Sequence, residues 1–129
     1  MKLDAEPDVD LLTSLGAQAI ELLCRGDIST LARDYGYALS YGRDTVTAIQ
    51  DDLRNCLAEA GATSLTDVPP DPVRSVKYFK PDASNVVAVI ECLARADNGT
   101  SLLVELIVTS KGLERHITLE QLSADATSV

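Results

Sequence analysis

The chain has no tryptophan, one phenylalanine, one histidine and three cysteines in 129 residues. Each scarcity closes off a class of chemistry. Catalysis through an imidazole would have to pass through His116, and no serine or cysteine stands in a nucleophile-like context such as G-x-S-x-G. Cys24, Cys56 and Cys92 are an odd set, each inside an apolar periodic segment, so buried reduced thiols are expected rather than a disulfide framework. Without a C-x-x-C pair they do not suggest zinc, and no phosphate-cradling glycine loop is present; neither a metal nor a cofactor is expected. No apolar run approaches the length of a membrane span. The first eight residues lack a basic region followed by an apolar one, so no signal peptide is expected and the location is read as cytoplasmic.

Basic residues are also scarce. Eleven Lys and Arg stand against twenty Asp and Glu, a net charge of −9 and a pI near 4.4. That balance argues against nucleic acid and against anionic membrane surfaces as partners. The deficit is uneven: through Asp71 thirteen acids face five bases, whereas from Pro72 onward seven face six. The hydrophobic period changes at the same place, from helical to alternating.

At 46% hydrophobic residues the chain has apolar content for one core, and a single domain over 1–129 is expected, with flexible ends at 1–7 and 123–129. Asp8 to about Cys24 predicts a first helix, stopped by Gly26, and Asp27 caps a second over Ile28 to Leu39. Asp44 caps the third, whose stripe of Val46, Ile49, Leu53, Cys56, Leu57 and Ala60 ends at Gly61. Pro69-Pro70-Asp71-Pro72 cannot be helical and forms the hinge. Strands are expected over Val73 to Phe79, Val86 to Arg95, Ser101 to Thr109, and Leu113 to about Leu122. The fold class is therefore α+β, three helices packed on a four-stranded antiparallel meander.

Turn chemistry sets the register. A three-residue loop, Asp97-Asn98-Gly99, puts Glu91 opposite Glu105 and every residue of one face from Val86 to Val108 is then apolar. A two-residue loop would bury a glutamate on each face, which is costly. Asn98-Gly99-Thr100 has the form of a glycosylation sequon but reads here as turn chemistry. A two-residue turn at Lys111-Gly112 continues the apolar face through Ile117 and Leu119. The opposite face then carries Val87, Val89, Glu91, Leu93 and Arg95, Leu103, Glu105, Ile107 and Thr109, and Glu114, His116, Thr118 and Glu120.

Paired like charges on adjacent strands need a cation nearby, and Arg95 and His116 are the local candidates. Glu91, Glu105 and His116 read either as an acid/base or metal-binding cluster, or as a sheet face whose glutamates sit in water, the expected case; interleaved aliphatics also make it a plausible docking face. Tyr35, Tyr37 and Tyr41 lie with Arg33 and Arg43 within twelve residues. They read as a recognition patch centred on Tyr41 and Arg43 or, preferentially, as a helix junction whose rings pack. Tyr78 and Phe79 are expected in the core. Asp51, Asp52 and Glu59 on the third helix are candidates for steering a basic protein.

The helices-then-meander pattern resembles the NTF2-like and cystatin-like α+β architectures. The segment Ala38-Leu39-Ser40-Tyr41-Gly42-Arg43-Asp44, the strand Leu103-Val104-Glu105-Leu106-Ile107-Val108 and its return Glu114-Arg115-His116-Ile117-Thr118-Leu119 also resemble small acidic bacterial immunity proteins of contact-dependent and other polymorphic toxin systems. That resemblance implies stoichiometric neutralisation of a cognate, basic, nuclease-type toxin, with no catalysis, and transfers no individual residue role. The alternatives are an NTF2-like pocket protein, enzyme or small-ligand binder, and a homodimer formed through the sheet face.

Overall fold

A computed structural model describes residues 1–124. Three helices, α1 (Val9–Arg25), α2 (Ile28–Tyr35) and α3 (Thr45–Glu59), precede four strands, β1 (Val73–Tyr78), β2 (Val86–Arg95), β3 (Ser101–Lys111) and β4 (Glu114–Ala124). The strands form one antiparallel sheet in the order β1-β2-β3-β4, and the architecture is α+β.

Local chemistry sets the helix ends. Asp8, Asp27 and Asp44 each accept a backbone N–H from three residues on, supplying one of the partners a helix N-terminus lacks. Gly26 closes α1 in the left-handed conformation at φ 75. Expected to reach Leu39, α2 instead stops at Tyr35, because Gly36 adopts φ 69 and sends the chain to β4. There Tyr37 forms a parallel bridge with Leu119, and Ala38 N–H donates to the Leu119 carbonyl.

All three helices lie on one face of the sheet, where Ile90, Cys92, Leu102, Leu106, Ile117 and Leu119 are fully buried beneath Leu12, Ile20, Leu31 and Ile49. Contact is closest at Gly16. A Cβ there would stand 2.8 Å from Val73 Cγ2 and 3.0 Å from Cys92 Sγ. Only a residue without a side chain lets α1 sit this low over β1 and β2.

The β2–β3 hairpin takes the expected form. Ala96 N–H donates to the Thr100 carbonyl around Asp97-Asn98-Gly99, Gly99 sits at φ 86, and Glu91 pairs with Glu105. Asn98 Nδ2 also donates to the Ala60 carbonyl, fastening the hairpin to the end of α3.

The β3–β4 turn lies one residue later than expected, which shifts the pairing register by two. Lys111 pairs with Glu114, so the turn is Gly112-Leu113. A two-residue turn opening on a positive φ wants glycine first, and Gly112 has φ 61. Ile117 and Leu119 still face the core because the shift is even. Further along, the register slips between Glu105 and Leu106, leaving Glu120 as an extra residue that returns Leu122 to the core.

Several edge expectations change. Ser123 and Ala124 pair with Leu103 and Leu102 rather than fraying, while 125–129 lie outside the described residues. Residues 1–3, expected to be flexible, run along β4: Leu3 N–H donates to the Arg115 carbonyl and Ile117 N–H to that of Met1. Tyr78 and Phe79 are each 48% exposed, because β1 is an edge strand and only its inner side meets a helix. Val87 packs against the core where the register shifts between Val86 and Ala88.

Candidate protein-binding surfaces

Two surfaces gather the candidate residues. The first is the loop from α2 to α3. Tyr35 and Tyr37 are buried and behave as junction residues: Tyr35 donates to the Leu15 carbonyl at 2.8 Å, and Tyr37 to Asp52 Oδ2 at 2.6 Å. Burial first, and for Tyr37 the bond to Asp52 next, raises both phenols well above the ordinary tyrosine range. Tyr41 departs from the packed-ring expectation. It is 81% exposed and holds φ 49, a conformation costly for any residue with a side chain.

Arg43 holds that loop in place. Its Nη1 and Nη2 reach both oxygens of Asp52 at 3.1 and 3.2 Å, Nη2 also donates to the Leu39 carbonyl, and Nε donates to that of Ser40. The Ser40 hydroxyl closes back on the Tyr37 carbonyl at 2.8 Å. Hydrogen bonds from Arg43, and then from Tyr37, hold the Asp52 carboxyl below the usual carboxylate range. Asp52 is therefore the anchor of a preformed loop and not open acid. Asp51 leans toward Arg54 at 3.4 Å, and Glu59 is exposed with no ion pair among the described residues. Of the three acids expected to steer a partner, one is committed, one lightly paired and one open.

The second surface is the sheet face away from the helices. Glu91 and Glu105 stand side by side, flanked by Leu93 and Leu103 on one side and by Val89 and Ile107 on the other. All six are half-buried, and the four aliphatics lie outside the core cluster. The cation beside Glu91 is Arg74, not Arg95 or His116. Arg74 is the extra residue of a bulge in β1, and its guanidinium reaches Glu91 Oε2 at 3.1 Å while Ser75 Oγ donates to Oε1 at 2.7 Å. These bonds, Ser75's foremost, draw the Glu91 carboxyl down.

Glu105 has no hydrogen bond or ion pair among the described residues. Burial, then the charges of Glu91 and Glu120, push its carboxyl up. His116 does not join the pair; its Nε2 lies 3.1 Å from Glu114, which also meets Lys2 at 3.3 Å. Glu91, Glu105 and His116 thus divide into two separate groups rather than the single acid/base or metal cluster of the alternative reading, and among the described residues no cluster of three metal-ligating side chains occurs.

Elsewhere a shallow cleft of about 580 Å³ runs between α1 and Pro69, Pro70 and Pro72, and another of about 200 Å³ opens beside Phe79 and Arg115. Neither is lined by His116 or by a sheet glutamate. Cys56 and Cys92 are buried and Cys24 half-buried, all unpaired; burial raises the Cys56 thiol to about 11 and that of Cys92 to about 12, which leaves them protonated and inert. No helix of the described residues is long and apolar enough to cross a membrane.

Sequence reasoning missed Arg74, because the bulge that turns it toward Glu91 leaves no mark in a pattern of period two. It also missed the bond from Tyr37 to Asp52, which joins residues of different elements. No family model matches the chain, and no curated protein or solved structure matches it either.

Proposed function

We propose that the chain is a stoichiometric binding protein for a basic protein partner, acting in the cytoplasm as an immunity protein that neutralises a nuclease-type toxin. The observation that carries the binding reading is Tyr41. A tyrosine held 81% exposed at φ 49, on a loop whose neighbours are spent on holding it there, is an arrangement with no packing purpose. Rigid aromatic knobs make effective binding hot spots because little ordering entropy remains to be lost. Net charge of −9 adds attraction for a basic partner. The resemblance to immunity proteins supplies the toxin.

The pocket-protein alternative draws less support. His116, Glu91 and Glu105 sit on the far side of the sheet from the helices, and the face beneath the helices is filled by buried aliphatics.

Isothermal titration against the product of the adjacent open reading frame tests the proposal. One-to-one binding is expected, with loss of that product's nuclease activity at equivalence. Tyr41→Ala should weaken affinity by about 30-fold at an unchanged melting temperature. Binding that is indifferent to Tyr41 would remove the observation on which the proposal stands.

A further inference from the structure

We infer that the helix-free face of the sheet is a second docking surface, built for a segment of the basic protein partner that presents an arginine or lysine between aliphatic side chains. The inference rests on the reading of the chain as a binder of a basic partner, and it names the chemistry of one contact. Four aliphatics, Val89, Leu93, Leu103 and Ile107, surround the glutamate pair, and no helix lies over them among the described residues. Such a patch resembles the centre of an interface, with an apolar ring and a single polar demand inside it.

That demand is for positive charge. Glu91 is already answered by Ser75 and Arg74, whereas Glu105, half-buried on a central strand, has neither donor nor ion pair among the described residues. An arriving guanidinium would offer two parallel donors to its carboxylate and relieve the repulsion from Glu91 and Glu120. The same row disfavours a second copy as occupant. A symmetric contact centred on this face would stack one pair of glutamates on another.

The test is an NMR titration of the isotopically labelled chain with a short peptide alternating leucine and arginine, and with a control alternating leucine and glutamate. The arginine peptide should shift the resonances of Val89, Leu103, Glu105 and Ile107; the control should leave them in place. Glu105→Gln should weaken that binding about tenfold, since a neutral acceptor replaces a charged one, and should not disturb the signals of Tyr41. If the arginine peptide shifts only the surroundings of Asp51 and Glu59, or binds Glu105→Gln equally well, the inference fails while the basic-partner reading stands. Light scattering that reports a dimer strengthened by Glu105→Gln would assign the face to a second copy and overturn it. If neither the peptide nor the adjacent gene product binds anywhere, both readings fall.

Discussion

Gly16→Ala sets two opposing effects against each other, and the structure decides between them. In an exposed helix interior, alanine is favoured over glycine by about 1 kcal/mol. At this site the new methyl would lie 2.8 Å from Val73 Cγ2, 3.0 Å from Cys92 Sγ and 3.3 Å from Ile90 Cγ2. Real Cβ atoms essentially never approach another heavy atom within 3.0 Å, so something must move. Val73 is half-buried on an edge strand and can yield, but Cys92 and Ile90 are fully buried on β2 between two paired neighbours. Overpacking of this kind costs about 1–3 kcal/mol. The clash should therefore outweigh the helix gain, for a net loss of roughly 1–2 kcal/mol and a fall in melting temperature of about 3–8 °C.

Urea unfolding followed by circular dichroism would measure it, with the midpoint moving down and the slope unchanged. Val73→Ala removes the nearest atom, so in the double variant part of the loss should return, with a coupling of at least about 0.5 kcal/mol. A midpoint that rises in Gly16→Ala alone would refute the close approach of α1 to the sheet.

Asp52→Ala should destabilise by about 1–3 kcal/mol, because the buried Tyr37 hydroxyl loses its acceptor; unfolding curves of the variant measure this. The depressed Asp52 carboxyl adds stability that is present above its unfolded value near 3.8 and is lost as the pH falls through its lower folded value. The variant should lack that part of the acid limb in a plot of melting temperature against pH. Glu105 has the opposite sign. Its raised carboxyl costs stability at neutral pH, a cost relieved as the pH falls through its folded value toward its unfolded one. Glu105→Gln should equal or exceed the parent in stability at pH 7 by chemical denaturation. Replacing Asp51 and Glu59 by lysine, with Asp52 left intact to hold the loop, should slow association with the true partner and flatten its salt dependence in stopped-flow kinetics.

How far the sequence could be read depended on how local each cause was. Asp8, Asp27 and Asp44 announce their helices because a cap acts three residues away, and Asn98-Gly99 announces its hairpin because a loop length and a left-handed glycine suffice. The pairing of Glu91 with Glu105 followed from that loop together with the alternation on either side. The bulges at Arg74 and Glu120 were not legible. Alternation says which face a residue takes, and a bulge alters the count only where tertiary packing rewards it, here by returning Leu122 to the core. For the same reason the candidate surfaces were half visible. Tyr41, Glu91 and Glu105 could be named from the chain, but that Asp52 is bound while Glu105 has no partner among the described residues depends on Tyr37, Arg43 and Arg74 arriving from other elements.

The Asn98 clasp bears on how the protein can be made. Asn98 Nδ2, which donates to the last carbonyl region of α3 at Ala60, is the very atom to which an oligosaccharide would be joined in the Asn98-Gly99-Thr100 sequon, while Oδ1 is occupied by the N–H and hydroxyl of Thr100. A sugar there would replace one of the two hydrogens on that nitrogen and set a bulky group against the end of α3, leaving a single N–H for the bond to Ala60. Production through a eukaryotic secretory route would expose that nitrogen to glycosylation and, in the modified chains, crowd the fastening of hairpin to helix. A bacterial or cytosolic host leaves the nitrogen free to hold the two halves of the fold together.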